Sequence, residues 1–567
     1  MVQKPTDEPR GDVPPATPGA RRTFVFLAAN ASYAHSNLAA WYLQAVAPVD
    51  RWRWVTVEAT IGDDTGALLE RLRREQPDAI GATFYLFNRD FVLAVLRRFK
   101  AMQPHVVVIG GGPEFLGDNA AFFAGESAVD VAVRGEGEVA FPQLLACIDE
   151  PQRWPAIPGL CGRSEERYFD VGLAPVVEDL GELPSPYGAL TAGFAKRFVQ
   201  IETSRGCANR CAFCTSGGSP SVRLFPLERV RSDLALIRDW GIRAVRVVDR
   251  TFNANQARCL VLLHLFRCEF PEIRFHLEIA PALLTEPVLG ELAAAGPGQF
   301  RLELGIQTLD GEVARRVTRG GSVRRALAGL RRACAETRCA THADLIAGLP
   351  GGRLDDVVRD VDALVMCRPG EIQLELLKLL PGTQLAADRE RWGLVASAQP
   401  PYEVLQTPDM SFEDLMTARR LSYVLDHFYN PPPLQPAALA ASAAIPGFWM
   451  ALARVVFEHS GWVSGLSLES RFRLLDGFLA GRCLAAQHRL QYDWLKYGLG
   501  ADNGLCPVTA WKAPLPADAE LMEGNPQARF RRLLRADLDR TYLFAYGAGD
   551  NPRQACAVFS LPRPTGD

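Results

Sequence analysis

Short apolar runs alternate with amphipathic segments over residues 22–150. Each run has the β-branched and aromatic character of a buried strand, and the segment after it repeats its apolar residues at helical spacing. The five runs are TFVFLAA, WRWVTVEA, AIGATFYLF, HVVVIGGG and VDVAVRG. This alternation predicts a Rossmann-like, doubly wound parallel α/β domain. Such sheets bind ligands beyond the carboxyl ends of their strands, where this chain places glycine-rich turns.

A second alternation of strands and helices covers residues 197–396. Its six strand-like runs are FVQIETS, RAVRVVD, RFHLEIA, FRLELGIQ, ATHADLIAG and IQLELLKLL. Eight such units close a TIM barrel, so six predict a partial (β/α)6 TIM-like barrel. The proline-rich residues 151–196 between the two series are predicted to form a linker with a small hairpin.

The strand pattern mostly stops after the second series, so residues 397–567 predict a mainly α-helical C-terminal domain. TYLFAYG and QACAVFSL, near the end, are interpreted as a terminal hairpin. A basic stretch just before them is interpreted as the solvated face of a helix. Its residues are Arg529, Arg531, Arg532, Arg535 and Arg540. Residues 1–21 combine proline, charge and small side chains, and predict a disordered tail.

Composition narrows the possible partners. The 567 residues are 48% hydrophobic and 22% charged, which is ordinary for a well-cored globular protein. The net charge of −3 gives no global attraction to nucleic acid or to an anionic membrane. No apolar run approaches the roughly 18 residues of a membrane span, and the first residues lack the apolar core of a secretory signal. We therefore expect a cytoplasmic protein that acts on a small or enclosed substrate.

Three of the thirteen cysteines form a cluster, whereas ten are scattered and fit small buried hydrophobic residues. Cys207, Cys211 and Cys214 lie in ETSRGCANRCAFCTSGG, directly after the first strand of the second series. Three thiolates on one loop can ligate three irons of a 4Fe–4S cluster and leave the fourth iron open. A structural zinc site would need a fourth ligand, and Cys259 and His264 are not in a zinc-knuckle arrangement. Three buried cysteines without a metal are the remaining alternative.

The C-x-x-x-C-x-x-C spacing, with Phe213 before the third cysteine, resembles the motif of the radical S-adenosylmethionine (SAM) superfamily. The resemblance implies that Cys207, Cys211 and Cys214 hold a 4Fe–4S cluster. It also implies that the open iron binds the amino and carboxylate groups of SAM, and that the reduced cluster cleaves SAM to methionine and a 5′-deoxyadenosyl radical. An external electron donor, such as flavodoxin or ferredoxin, is implied with them.

Other strand ends resemble the SAM-binding segments of that superfamily. VVDRTFN matches the motif that holds the SAM amino group, RLELGIQ the residues near the ribose, and DLIAGLPGG the turn against the adenine. Arg250 departs from the first motif, where relatives often carry a second acidic residue. The SAM-binding residues implied are Phe213, Asp249, Glu303, Gln307, Arg319, Gly348 and Pro350. From the residues alone, an outward-facing Glu303, a solvated Arg319 and an ordinary Gly-Leu-Pro turn stay open as alternatives.

The GGGPE and RGEGE turns of the first domain resemble those of the cobalamin-binding class of radical SAM proteins. Glycines there let a bulky ligand approach the backbone and free amides for a phosphate. The cobalamin-binding residues implied are Gly110, Gly111, Gly112, Pro113, Glu114, Gly135 and Glu136. The loop NASYAHSN lacks the D-x-H-x-x-G pattern of histidine-ligating domains, so we expect cobalamin without a protein ligand to cobalt. His35 is then a loop or helix-capping residue. A Rossmann-like nucleotide binder, or a domain that only covers the barrel, are the alternatives.

Six segments together resemble a cobalamin-type radical SAM subfamily with an uncharacterised helical C-terminal domain: IETSRGC, VRLFPLERV, VVDRTFN, DLIAGLP, LKLLPGT and PPYEVLQT. The resemblance implies a cobalamin-dependent methyltransferase acting on an unactivated carbon of a small molecule or natural product, with phosphorus as another possible centre. No catalytic residue besides the cofactor-binding ones is assigned, and the substrate is not identified. Two alternatives remain: a radical SAM oxidoreductase or isomerase without cobalamin, and a non-catalytic iron–sulfur redox protein.

Overall fold

The computed structural model describes residues 21–188, 196–218, 221–461, 465–499, 504–525, 530–547 and 554–561. The chain forms two compact units. The described residues of the first unit belong to Met1–Ser204, Arg223–Val245 and Leu380–Thr383, and those of the second to Arg205–Val222, Arg246–Leu379 and Gln384–Asp567.

A seven-stranded sheet forms the core of the first unit, in the order β2-β1-β3-β4-β5-β6-β7. Its strands are β1 (Arg22–Asn30), β2 (Trp52–Thr60), β3 (Ala79–Thr83), β4 (Val107–Gly111), β5 (Val131–Val133), β6 (Leu160–Ser164) and β7 (Arg167–Asp170). Its helices are α1 (Leu38–Val46), α2 (Thr65–Arg74), α3 (Arg89–Met102), α4 (Ala120–Gly125) and α5 (Gly137–Ala146). β1–β5 pair in parallel, as predicted, and the strand order reverses between β1 and β3. In sheets of this order the ligand crevice lies at that reversal.

Residues 160–170, which were predicted to belong to a linker, form two strands of the first sheet. The predicted hairpin is present as β6 and β7, but β6 also pairs antiparallel with β5 and extends the first sheet. Arg163 fixes this extension by donating hydrogen bonds to the carbonyls of Phe123 and Glu126. The segment is therefore part of the sheet, because its backbone groups are paired with β5.

The second sheet has six strands, in the order β15-β14-β13-β12-β11-β8, as expected of a partial barrel. Its strands are β8 (Val199–Ile201), β11 (Ala244–Val247), β12 (Arg274–Ile279), β13 (Phe300–Gln307), β14 (Ala340–Ala347) and β15 (Glu371–Leu376), and β9 (Ser204–Arg205) with β10 (Arg223–Leu224) forms a separate pair. Its helices are α6 (Leu227–Asp239), α7 (Gln256–Glu269), α8 (Glu286–Ala293), α9 (Gly311–Arg316), α10 (Val323–Glu336) and α11 (Leu354–Cys367). Buried and partly exposed residues alternate along β13 and β14, so one face of these strands lies in the core.

The free edge of β15 is covered by residues that follow it in the chain. These residues begin with α12 (Gln384–Ala387), β16 (Val395–Ala396), β17 (Val404–Gln406), α13 (Phe412–Val424) and a π-helical turn, Leu425–Tyr429. The side-chain amide of Asn430 pairs with both the N–H and the C=O of Ile372, at 2.9 and 3.0 Å. Val404 N–H donates to the carbonyl of Leu377 at 2.8 Å. Backbone groups at Ile372 and just beyond the end of β15 are thereby paired without a seventh barrel strand.

The C-terminal residues are helical first and then form a sheet. The helices are α13, α14 (Gln435–Ala444), α15 (Phe448–Ser460), α16 (Leu468–Leu479) and α17 (Leu484–Lys496). The sheet has the order β18-β20-β21-β22-β19, with β18 (Thr509–Trp511), β19 (Glu520–Gly524), β20 (Phe530–Asp537), β21 (Thr541–Gly547) and β22 (Ala555–Ser560). The predicted hairpin is confirmed as β21 and β22.

The helical prediction is wrong for the basic stretch before that hairpin. Arg531, Arg532 and Arg535 lie on β20, which pairs antiparallel with β21, and Arg540 lies in the turn between the two strands. Arg529 and, apart from Arg21, the predicted N-terminal tail lie outside the described residues.

Among the described helices, none alone has the length and apolar character needed to cross a membrane. The bent pair Gln435–Ala444 and Phe448–Glu458 meets the criteria of length and composition only when both helices are taken together.

Two helical glycines allow a test of the packing in the second unit. A Cβ at Gly329 of α10 would lie 2.0 Å from the backbone oxygen of Pro281, whereas a Cβ at Gly290 of α8 would meet nothing within 4 Å. Because backbone cannot yield cheaply, we expect Gly329→Ala to lower the free energy of unfolding by about 1–3 kcal/mol. Gly290→Ala, the control, should raise it by about 0.5–1 kcal/mol. Chemical unfolding of both variants measures the difference, and equal effects would contradict this account of the packing.

Candidate functional site

The three clustered cysteines lie on a tightly folded loop after β9. Gly206 begins the loop with φ +91°, and a Cβ there would lie 2.1 Å from the carbonyl oxygen of Ser221. Cys214 N–H donates to the carbonyl of Cys211 at 3.0 Å, and Gly217 N–H donates to that of Cys214 at 2.9 Å. These turns bring the three cysteines around one cavity.

Each cysteine sulfur has a polar neighbour. Cys207 Sγ lies 3.4 Å from the hydroxyl of Thr251, and Ser216 N–H donates to Cys214 Sγ at 3.4 Å. Arg319 Nη1 donates to Cys211 Sγ at 3.6 Å. Burial raises the pKa of the Cys211 thiol, and Arg319 opposes that rise because its charge favours the thiolate.

The cavity beside the loop is open and has about 700 Å³ of empty space. Several residues singled out from the sequence meet there, together with others that were not. Its lining consists of Cys207, Asn209, Cys211, Phe213, Cys214, Arg250, Thr251, Glu278, Ile279, Ala280, Glu303, Gly305, Gln307, Arg319 and Asp344. Phe213, Glu303, Gln307 and Arg319 therefore share one cavity with the three thiols. An outward-facing Glu303 is excluded by this position.

Glu278 and Asp344 are cavity residues that the motifs did not single out. Burial is the main cause that raises the pKa of Glu278 to about 7 and that of Asp344 to about 8. The neighbouring carboxylate of Glu303 adds to both rises, whereas Arg250 opposes the first and Arg319 the second. The signal was present in the sequence, because both acids fall on the polar positions of strands that are otherwise alternately apolar.

Glu303 differs from these two acids because it has a close partner. His276 Nε2 lies 2.8 Å from Glu303 Oε2, and this hydrogen bond is the main cause that lowers the pKa of Glu303. In the parallel register, Glu303 stands between Glu278 of β12 and His342 of β14. One face of β12–β14 thus carries ionisable groups where a closed barrel would have apolar layers.

The VVDRTFN segment does not place all its polar residues in the cavity. Arg250 lines the cavity, whereas Asp249 is only 3% exposed and is not among the lining residues. Asn253 is fully buried, and its side-chain amide pairs with both the C=O and the N–H of Ala280 at 2.9 Å. Asn253 therefore ties the loop after β11 to the end of β12.

The Gly-Leu-Pro turn after β14 also lies outside the cavity lining. Gly348 has φ +89°, and a Cβ there would lie 3.1 Å from the side chain of Leu415 on α13. Pro350 is buried, and Gly351 N–H donates to the Asp409 carboxylate at 3.0 Å. The turn packs against the segment that follows the barrel.

The first unit has its own cavity, with about 650 Å³ of empty space, at the reversal of strand order. It is lined by residues near the middle of β1, by the ends of β3, β4 and β5, and by α1 and α5. Glycines form part of its wall, at Gly81, Gly110, Gly111, Gly112, Gly135 and Gly137, and aromatic side chains form another part, at Phe24, Phe26, Tyr85 and Phe141. A Cβ at Gly81 would lie 2.5 Å from Phe24, and one at Gly112 would lie 2.8 Å from the carbonyl oxygen of Phe84.

Two of the three acidic residues of the glycine-rich turns, Glu114 and Glu136, lie in ion pairs and do not line this cavity, whereas Glu138 lines it. Glu114 Oε1 lies 2.8 Å from Arg89 Nε. Glu136 pairs with Arg223 and accepts a hydrogen bond from Val177 N–H at 3.1 Å. Pro113 begins a 3-10 turn, Pro113–Leu116, after β4. These contacts fix the turns around the cavity.

Comparison with family models assigns three consecutive segments. Residues 25–145 match the B12 binding domain, residues 201–364 match the radical SAM superfamily, and residues 390–502 match a protein of unknown function (DUF4080). The chain is a radical SAM protein with a B12-binding domain. The resemblance noted in the sequence is thereby confirmed. A radical SAM domain implies a 4Fe–4S cluster and SAM, and a B12-binding domain implies cobalamin.

Two curated relatives of this radical SAM protein are methyltransferases. The 2-(S-pantetheinyl)-carbapenam-3-carboxylate methyltransferase of Streptantibioticus cattleyicolor is 32% identical over 190 residues, which are 31% of this chain. The cobalamin-dependent radical SAM methyltransferase TokK of Streptomyces tokunonensis is 30% identical over 193 residues, also 31% of this chain. The matched segment spans only 28% of the length of each relative.

Solved structures share the fold of this radical SAM protein. The methyltransferase TsrM of Kitasatospora setae, with cobalamin and a [4Fe-4S] cluster bound, has a TM-score of 0.56 at 20% identity, covering 68% of this chain and 79% of TsrM. The cobalamin-dependent enzyme OxsB has a TM-score of 0.58 at 13% identity, covering 83% of this chain and 79% of OxsB.

Because the pKa of Asp344 is raised, the stability of the folded protein should depend on pH, and this can be measured without SAM. The folded protein keeps the carboxyl proton to about pH 8, whereas the unfolded chain loses it near pH 4. Stability contributed by this group therefore falls as pH rises between these values. We expect the thermal unfolding midpoint of Asp344→Asn to rise relative to that of the wild type as the pH increases from 5 to 8. The exposed Asp355→Asn should follow the wild type, and a constant difference for Asp344→Asn would contradict the assignment.

Proposed function

We propose that this chain is a cobalamin-dependent radical SAM methyltransferase that methylates an unactivated carbon of a small-molecule or natural-product substrate. The observation that carries the proposal is a cavity lined by three thiols in a chain that also has a B12-binding domain with its own cavity. The names of the two curated relatives support methyl transfer over other radical chemistry.

The donor set of the cysteine loop fits a 4Fe–4S cluster. Cys207, Cys211 and Cys214 line one cavity, and each cysteine of such a cluster ligates its own iron. The described residues contain no group of three or more His, Cys, Asp and Glu side chains converging to hold one metal ion. Three thiols distributed around a cavity suit a cluster better than they suit a single ion.

The remaining lining of the same cavity fits SAM beside the cluster. Phe213 offers an apolar surface, and Gln307, Glu303 and Asp344 offer polar groups to a ribose and an amino group. Asp249, Gly348 and Pro350 lie outside the lining, so their role in SAM binding stays a prediction. Glu278 adds a carboxyl group whose proton is retained to about pH 7.

The cavity of the first unit fits cobalamin. Its glycine wall lets a large planar group approach the strand ends, and Gly111 leaves open space where a side chain would stand. His35 Nδ1 lies 2.9 Å from the hydroxyl of Ser32, and its ring packs edge-on against Phe198. His35 does not line the cavity, which supports binding of cobalamin without a protein ligand to cobalt. Glu114 and Glu136 support the turns through their ion pairs, and Pro113 sets the turn after β4.

When bound, the cluster and SAM supply a 5′-deoxyadenosyl radical, and cobalamin supplies the methyl group. The chain holds these groups and shields them. The cysteine loop fixes the thiols, Phe213 excludes water, and the polar face of β12–β14 orients a substrate with hydrogen-bonding groups. The electron must come from an external donor such as flavodoxin or ferredoxin. The cytoplasmic location expected from the sequence stays a prediction.

Two alternatives are less well supported. The first is a radical SAM oxidoreductase or isomerase without cobalamin. It does not explain the match to the B12 binding domain or the glycine-walled cavity. A non-catalytic iron–sulfur redox protein does not need a cavity beside the three thiols.

Activity is tested in protein purified anaerobically and reconstituted with iron, sulfide and hydroxocobalamin. With SAM and a reductant, we expect 5′-deoxyadenosine and S-adenosylhomocysteine to form. Replacing Cys207, Cys211 and Cys214 by alanine should lower bound iron and 5′-deoxyadenosine at least 100-fold, because the cluster loses its ligands. Cys268→Ala, at an exposed position of α7, is the control and should retain both. Absence of both products from the wild type across candidate substrates would contradict the proposal.

Cobalamin binding is tested by filling its cavity. A Cβ at Gly111 meets only the carbonyl oxygen of Val133, at 3.9 Å, so Gly111→Val adds bulk to the cavity without displacing backbone. We expect the affinity for hydroxocobalamin, measured from its visible spectrum, to fall at least tenfold while bound iron is unchanged. Gly125→Val, on α4 with nothing within 4 Å, is the control. Equal affinities of the two variants would count against this cavity as the binding site.

A further inference from the structure

Three consecutive residues after α9 hold the cysteine loop, and we call Val317, Thr318 and Arg319 the clamp. Ala212 N–H donates to the carbonyl of Val317 at 2.9 Å. The hydroxyl of Thr318 donates to the carbonyl of Arg210. Arg319 Nη1 donates to Cys211 Sγ at 3.6 Å. The clamp thus contacts three successive residues of the loop, two through backbone and one through its sulfur.

The backbone of the clamp is held in an unusual conformation. Thr318 has φ +51°, which β-branched residues rarely adopt. Such a conformation persists where surrounding contacts determine it. Here the contacts are the hydroxyl bond of Thr318 and the bond from Arg319 N–H to the carbonyl of Ala314 at 2.9 Å. This conformation directs the next side chain, that of Arg319, toward the sulfur.

The guanidinium of Arg319 bridges the loop and the strand beside it. Its Nη1 bonds to Cys211 Sγ, and its Nη2 bonds to the carbonyl of Gly305 on β13. A Cβ at Gly305 would lie 3.2 Å from Nη2 and 2.9 Å from the Gln307 amide, so glycine leaves the room that this approach needs.

We propose that Arg319 is a positioning residue that raises the reduction potential of the cluster through its hydrogen bond to Cys211 Sγ. The proposal rests on the proposed function, because it requires the cluster. Reduction adds one electron from an external donor and makes the cluster more negative. A cationic donor on a ligating sulfur stabilises that added charge, since hydrogen bonds to sulfur set cluster potentials.

This role differs from the SAM binding that the family resemblance implies for Arg319. A residue that acts only on SAM changes SAM affinity and leaves the cluster potential unchanged when SAM is absent. A residue that acts through Cys211 shifts the potential in the absence of SAM. The two roles are therefore separated by one measurement on SAM-free protein.

The test is a redox titration of the reconstituted full-length protein without SAM, with dithionite and mediators, followed by the electron paramagnetic resonance of the reduced cluster. We expect a more negative potential in Arg319→Gln, and a smaller shift of the same sign in Arg319→Lys, which keeps the charge but cannot bridge both acceptors. Arg315→Gln removes the same charge from an exposed position of α9 that pairs with Glu312, and should titrate like the wild type.

Thr318→Val separates holding the loop from tuning the sulfur. It keeps the shape of the side chain and removes the hydroxyl bond to Arg210. We expect a lower iron content after exposure to air, with the potential of the remaining cluster unchanged.

The possible outcomes decide between the claims. An Arg319→Gln protein with a full cluster and the wild-type potential would overturn the role of Arg319. If that variant loses its cluster, Arg319→Lys decides: a more negative potential supports the role, and the wild-type potential overturns it. A wild-type protein that takes up no 4Fe–4S cluster overturns the proposed function itself.

Discussion

Parallel pairing of neighbouring strands is the constraint on which both cavities depend. Because parallel strands run in the same direction, the loops after their carboxyl ends meet at one edge of the sheet. In the first sheet this gathers Thr83, Gly111 and Gly135 around one cavity. In the second sheet it brings Glu278 and Asp344 to the cavity of the cysteine loop, although the two residues are 66 positions apart in the sequence.

Hydrophobic spacing predicted the parallel strands well and failed where pairing between distant residues decides the structure. Phe530, Leu533 and Leu534 repeat at helical spacing, and the arginines between them complete an apparently amphipathic helix. The segment is nevertheless the strand β20, because β18 and β21 pair with its two edges. Strand formation depends on such neighbours more than on local preference, and sequence spacing does not reveal them.

The site was predicted in part for a similar reason. Motif spacing located the three cysteines and Phe213, which line one cavity. Glu114 and Glu136 belong to turns that were predicted to bind a ligand. Their ion-pair partners, Arg89 and Arg223, lie outside these turns and far from them in the sequence, so the motifs could not predict the ion pairs. Glu278 belongs to no motif that was singled out, and Asp344 begins the DLIAGLPGG segment without having been given a role. The strand register places Glu278 opposite Glu303 and Asp344 opposite Gly305.

The closure of the β15 edge has a consequence for how the chain is divided into modules. The segments matched by family models end at residue 364 and resume at residue 390, so β15 belongs to neither. This strand pairs with β14 on one side and is capped by Asn430 on the other. The segment of unknown function therefore pairs with the barrel at its last strand, and it belongs to the same compact unit as most of the radical SAM segment.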